Sequence, residues 1–229
     1  AILIIIGIAF IYTKLDKTPP IENVSQNLLD WKSLEQKFEY KGHKISYHDS
    51  GDKSKKVIVL LHGYPTSSYD WHLIWSELNT DYRLIAMDML GFGFSDKPDN
   101  IDYTISMQTD ILEALLENLN IEKVNLIAHD YGDNVAQELM ARNIEQKEEY
   151  PLKIESLTLL NGGLFPETHR PTTIQKLLSS PIGGTVASFT NQTLFNKSFS
   201  KVFGPNTQPN EQELIDQWYV ICHQNGYKI

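Results

Sequence analysis

A chain of 229 residues, 41% hydrophobic and 21% charged, has room for one large domain or two small ones and is not disordered in composition. Its formal net charge of −9 leaves no basic surface to neutralise phosphates, which argues against a nucleic-acid partner. The single cysteine, Cys222, excludes an internal disulfide framework and a thiolate metal cluster; it reads as a packing residue, and neither metal nor cofactor is expected.

The chain opens on AILIIIGIAFIY, an uncharged apolar run over residues 1–12 followed by Lys14, Asp16 and Lys17. A bilayer needs roughly 20 such residues. Because the sequence starts at Ala1 without a methionine, we read the run as part of a membrane anchor or uncleaved signal-anchor, in preference to a cleaved signal peptide or a buried element. Residues 13–34 form a polar linker with a short helix. Sequons at Asn23, Asn191 and Asn196 would accept glycans if the chain faces a lumen, and in a chain rich in Asn, Ser and Thr they are permissive only.

From residue 35 the pattern is that of a layered domain. KFEYKGHKISYHDSG alternates apolar and polar residues around Lys41-Gly42, a hairpin signal. KVIVLL (56–61), RLIAMD (83–88), KVNLIAH (123–129) and SLTLLNG (156–162) are short apolar runs with polar or glycine borders, as in strands buried on both faces. Helical patterns lie between them at 68–78, 105–119 and 134–144. In the second, Ile105, Ile111, Leu112, Leu115, Leu116 and Leu119 make one core stripe. The alternation predicts an α/β fold, a mostly parallel sheet with helices on both faces, over 35–165. After Gly163 no strand pattern is clear and EQELIDQWYVIC (211–222) reads as a helix, so 166–229 is expected to be a helical cap.

The strand–corner–helix stretch LIAHDYGDNVAQEL (126–139) puts Asp130 where a nucleophile elbow carries its nucleophile. The elbow requires small residues two before and two after, and these are Ala128 and Gly132. Asp also tolerates the left-handed backbone of such a turn. The plainer reading, that Asp130 caps a helix starting near Asp133, does not call for the small neighbours or the apolar strand. LLHGYPTSS (60–68) contributes a second piece: after His62-Gly63, the backbone N–H of Tyr64 can join that of Tyr131 in an oxyanion hole, with Pro65 stiffening the turn. On its own this is an ordinary turn with a proline and a serine cap. Ser95, in the glycine-containing GFGFSDKP, belongs to a structural loop at the mouth of the site, because no helix or lysine follows as phosphate binding would need.

LLHGYPTSSYDW, MDMLGFGFSDKP, HDYGDNVAQEL and NGGLFPETHRP together resemble the α/β-hydrolase superfamily, in its epoxide-hydrolase-like branch and near a membrane-associated member; the likeness runs from about Lys56 to Pro205. It implies a hydrolase acting on a small or lipid-like substrate at a membrane, that of the endoplasmic reticulum. In that chemistry an ionised Asp attacks an electrophilic carbon, forming an ester, and a His-activated water then attacks the ester carbonyl. Serine would need a base for the first step; a carboxylate does not. His129, next to Asp130, is expected to point into structural hydrogen bonds. None of His43, His48, His62, His72, His169 and His223 lies where members carry the base, on a loop after the last strand; the sequence reaches Ile229 before the final strands, that histidine and its acid. Residues 1–229 by themselves are therefore expected not to turn substrate over. A dehalogenase is a second reading, disfavoured because Tyr64 and Tyr131 stand where that branch holds a halide with Asn and Trp. An inactive binding or scaffolding protein that keeps the fold is a third, and the oligomeric state is not legible.

Overall fold

The computed structural model describes residues 16–146, 149–163, 173–178 and 180–228. The apolar run 1–12 and most of GGLFPETHRP, His169 included, lie outside the described residues, among which no helix is long and apolar enough to cross a membrane. Two compact units are distinguished: Asn27–His169, and a second that joins Ala1–Gln26 to Arg170–Ile229.

The first unit carries a six-stranded sheet, β1 (Gln36–Tyr40), β2 (His43–Asp49), β3 (Lys56–Leu61), β4 (Tyr82–Met87), β5 (Lys123–His129) and β6 (Lys153–Leu160), in the order β1-β2-β4-β3-β5-β6. The opening hairpin is antiparallel and turns on Lys41 and Gly42, both at positive φ (48° and 83°), as a two-residue turn between twisted strands demands. β2 runs antiparallel to β4, and β4, β3, β5 and β6 are parallel. Val59, Leu61, Ile85, Met87, Leu126 and Ala128 share one core cluster with Ile111, Leu112, Leu115 and Leu116 of α3 (Ile105–Asn118) and Val135, Ala136 and Leu139 of α4 (Tyr131–Gln146). Each large aliphatic side chain there contributes about 1.5–3 kcal/mol of burial. Leu60, Leu84 and Ala86, of opposite parity on β3 and β4, are buried as well, so these two strands are covered on both faces.

Three elements depart from the sequence pattern. β6 was expected at 156–162, buried on both faces; it spans 153–160 and alternates half-buried with exposed residues, because among the described residues it pairs on one side only, and Asn161 turns out of it at φ 57°. α4 starts at Tyr131, three residues ahead of the expected 134, directly after the corner. The helix expected over 68–78 is a 3₁₀ turn (Ser68–Trp71) followed by α2 (His72–Leu78); Ser67 caps the turn through Tyr69 N–H, and the Asp88 carboxylate takes Ser68 N–H from outside. Ahead of the sheet, α1 (Gln26–Ser33) buries Leu28 and Trp31, and Trp31 stacks on His48 with ring centroids 4.3 Å apart.

The described residues of the second unit form α5 (Thr173–Leu178), α6 (Gly183–Ser188), α7 (Gln192–Phe199) and α8 (Glu211–Cys222), with no strand among them. α8 opens on a capping box: Glu213 N–H donates to Asn210 Oδ1 (2.9 Å) and Asn210 N–H to Glu213 Oε2 (2.7 Å). Phe195, Trp218, Ile221, Cys222 and Tyr227 make its core, and burial drives the Cys222 thiol up to about 12. Residues before α1 fold with it, Ser25 N–H donating to Asp216 Oδ1 at 2.9 Å. Of the sequons, Asn23 is exposed, Asn191 caps α7 through Leu194 N–H, and Asn196 buries its Oδ1.

Candidate active site

The corner after β5 is built by steric exclusion. Asp130 has φ 51°, the left-handed region that Asp tolerates better than most side chains. Its backbone N–H donates to Leu160 O (3.1 Å) and its carbonyl accepts Asp133 N–H (3.1 Å), fixing the turn from both sides. A Cβ on Gly132 would stand 2.6 Å from Leu61 O and 2.7 Å from His62 O, so α4 can start immediately after the corner only with glycine there. Ala128, the other small neighbour, is fully buried in the sheet core.

The turn after β3 meets this corner. Gly63 packs so closely that a methyl group on it would lie 2.7 Å from Asp130 Cβ and 2.9 Å from His129 Nδ1. Tyr64, next in the chain, donates its backbone N–H to Asp130 Oδ1 at 2.9 Å. Tyr131 is the first residue of α4, so its N–H has no intrahelical acceptor and carries the positive end of the helix dipole. The Tyr64–Pro65 peptide is cis, and Thr66 Oγ1 donates to Gly63 O at 3.2 Å.

His62 holds the turn from beneath. It is fully buried, its Nε2 accepts Met89 N–H (3.0 Å) and its Nδ1 donates to Gly63 O (2.8 Å). That pairing defines a neutral ring protonated at Nδ1, and burial pushes its pKa below the usual histidine range. With both nitrogens engaged, His62 is a strut and has no nitrogen left to act as a base. His129 lies half-buried against Gly63.

Two carboxylates that the sequence patterns did not single out frame the same strand ends. Asp88, after β4, is fully buried; Oδ1 accepts Ser68 N–H (2.7 Å), Oδ2 accepts Phe94 N–H (2.7 Å), and its carbonyl accepts the Ser95 hydroxyl (2.6 Å). Ser95 is thus a structural residue, and its Oγ also accepts Ser46 N–H at 2.8 Å. Gly93 (φ 53°) leaves room for Asp88, whose Cγ would be 2.1 Å from a Cβ there. Lys97 lies buried nearby, donating to Gly93 O and Ser95 O, and burial lowers its pKa to about 8 despite the opposing Asp88 charge. Asp133, in the first turn of α4, is fully buried too: burial raises its pKa, countered by the N–H groups of Leu160 and Gly162, and its Oδ2 has no hydrogen-bond partner. The signal for Asp88 was present, since an Asp ending a buried strand before a Gly-x-Gly turn needs N–H donors.

Phe92, between the glycines, brings an aromatic surface to the corner. Its ring centroid is 5.4 Å from that of His62, 6.1 Å from Tyr64 and 5.8 Å from Tyr131. Burial raises the Tyr131 phenol pKa, so that ring is neutral at ordinary pH. No group of three or more His, Cys, Asp or Glu suited to a metal occurs among the described residues.

A strand-borne corner with an N–H-lined turn opposite it can stabilise charge on an oxygen at position 130, which is the geometry of acyl and alkyl ester chemistry. The chain is similar to several known proteins. The chain is 48% identical over 217 residues to the mesoderm-specific transcript homolog protein of Bos taurus, covering 90% of this chain and 64% of that protein. It is 31% identical over 119 residues to epoxide hydrolase 1 of Caenorhabditis elegans, covering 52% and 28%. The solved structure of the epoxide hydrolase CorEH without ligand superposes with a TM-score of 0.68 at 21% identity, over 85% of this chain and 70% of that one. The chain spans about two thirds of the length of the curated relatives it matches first, 64%. Residues 56–202, from the first strand of the parallel sheet onward, match the model of the alpha/beta hydrolase fold, and with the elbow and its opposing turn in place the chain belongs to the α/β-hydrolase family.

Proposed function

We propose that this chain carries the nucleophile and the oxyanion-binding N–H groups of an epoxide-hydrolase-type hydrolase, with Asp130 as nucleophile. The observation that carries this reading is the 2.9 Å hydrogen bond from Tyr64 N–H to Asp130 Oδ1 at a corner with φ 51°. Oδ1 is the oxygen already held, so Oδ2 forms the bond to the electrophilic carbon. The carbon–oxygen bond of the ring breaks, and the departing oxygen takes up a proton. When water attacks the resulting ester, negative charge develops on Oδ1, where Tyr64 N–H lies and Tyr131 N–H is available. Activation of that water falls, by resemblance, to a histidine on a later loop, and His62 is not that base.

The covalent half-reaction requires an ionised Asp130 and a proton from solvent for the departing oxygen, and it needs no histidine base. The wild-type chain should form one covalent adduct with a reactive epoxide, read by intact mass. Asp130→Asn and Asp130→Ala should form none while retaining the wild-type fold. Equal labelling of Asp130→Asn would remove Asp130 from the chemistry and favour a binding protein. We also propose that residues 1–12 anchor the whole protein to a membrane, that of the endoplasmic reticulum. Their deletion should release it to the soluble fraction after carbonate extraction, and undiminished pelleting would refute the anchor.

A further inference from the structure

Phe92 is held more tightly than an ordinary loop residue. The glycines on either side adopt φ 93° and 53°, Gly91 N–H donates to Asp96 O (2.9 Å), Phe92 N–H to Met89 O (2.9 Å) and Ser95 N–H to Phe92 O (3.1 Å). Asp88, fully buried, takes Phe94 N–H and occupies the space where a Gly93 side chain would be. The backbone that presents Phe92 is therefore fixed by hydrogen bonds and by the buried Asp88 carboxylate.

The Phe92 ring meets Tyr64 edge to face (88° between planes) and Tyr131 at 37°. Those two residues also carry the N–H groups beside Asp130, so the aromatic surface adjoins the candidate oxyanion hole. Tyr64 is 51% exposed and Phe92 is half-buried, which leaves ring surface open to a ligand.

We propose that Phe92, with Tyr64 and Tyr131, is a specificity-determining wall that selects electrophiles with a planar aryl group on the reacting carbon. The chemistry of this inference rests on the Asp130 reading; the binding preference does not. Edge-to-face and offset ring pairs strengthen association about 2- to 12-fold beyond equal buried aliphatic area. Ring faces also attract positive charge. As the Asp130 Oδ2 lone pair bonds to a benzylic carbon and the ring C–O bond breaks, that carbon carries partial positive charge, and the oxygen leaves with the electron pair and is protonated by solvent water. An alkyl chain of equal carbon number profits from neither effect.

The experiment compares phenyloxirane with n-hexyloxirane, each labelling rate divided by the rate of that oxirane with acetate ion in solution. Wild type should favour the phenyl compound by about fivefold or more. Phe92→Leu should bring the ratio within about twofold of unity, and Phe92→Tyr should restore it. A wild-type ratio of one, or a ratio unchanged in a folded Phe92→Leu variant, overturns the proposal. Absence of labelling by either oxirane would instead refute the Asp130 reading. Saturation-transfer NMR on the wild-type chain with benzyl alcohol and 1-hexanol, which needs neither reaction nor variant, then decides the wall. Benzyl alcohol should saturate at severalfold lower concentration, and equal or reversed affinity overturns the inference.

Discussion

Asp88 and Asp130 both stand at the C-terminal ends of parallel strands, yet their surroundings are opposite. Asp88 is fully buried, each of its oxygens accepts a backbone N–H at 2.7 Å, and a glycine is excluded from bearing a side chain to make room for it. Asp130 is half-buried in a left-handed turn and has one oxygen held, by Tyr64 N–H. A carboxylate saturated with donors organises a loop; one held by a single donor in a strained, accessible turn keeps an oxygen for bond formation. The difference teaches that strand-end position alone does not distinguish these carboxylates, whereas donor count taken together with exposure does: Asp133 also has an oxygen without a donor, but it is fully buried.

The sharpest way to break this contrast is to remove each carboxylate in turn. Asp88→Ala strands the N–H groups of Ser68 and Phe94 in the interior, at about 1–3 kcal/mol each, so urea unfolding should show a loss of about 2–6 kcal/mol. A loss under about 1 kcal/mol would mean that Asp88 is not a structural carboxylate.

Acid titration comes next in size. His48 and His62 are both fully buried, and burial lowers both pKa values against the opposing pull of Asp88. The unfolded chain therefore binds protons below about pH 6.5 that the folded chain refuses. Their contribution is fully present above that pH and is lost as pH falls toward the lower folded values, at up to about 1.4 kcal/mol per pH unit for each ring. Replacing His62 by Asn should flatten that part of the profile in chemical denaturation across pH 7 to 5.

Asp133 sharpens the comparison from a third position. Its raised pKa places it on the other side of the sign: its contribution is greatest where it is protonated and is lost as pH rises through the folded value, above 3.8. Asp133→Asn keeps an acceptor for Leu160 N–H without the buried charge, so stability at neutral pH should hold or rise, by on the order of 1 kcal/mol or less. The smallest effect is expected at the corner itself. Asp130→Asn should alter stability by less than about 0.5 kcal/mol, since Asn shares the tolerance for positive φ and can accept Tyr64 N–H.

The parallel sheet was legible because its strands are continuous apolar runs, and 56–61 and 123–129 hold their expected bounds. The corner was legible because its glycine is sterically obligatory and its alanine is buried, constraints that local sequence records. Phe92 was not singled out because its role depends on contacts with Tyr64 and Tyr131, more than 20 residues away, which no local period encodes. The early start of α4 was missed for a similar reason. It follows from Gly132 fitting against the carbonyls of Leu61 and His62, on a strand distant in sequence.

On the proposed reading, Asp130 alone among these neighbouring carboxylates forms a bond to the substrate. Peptide mapping of the ester formed with phenyloxirane tests this directly, since Asp88, Asp130 and Asp133 fall in one digest and one mass spectrum. The adduct is expected on Asp130 alone, at one per chain, and none on Asp88 or Asp133. An adduct on either of those residues, or on scattered surface carboxylates at comparable yield, would contradict it.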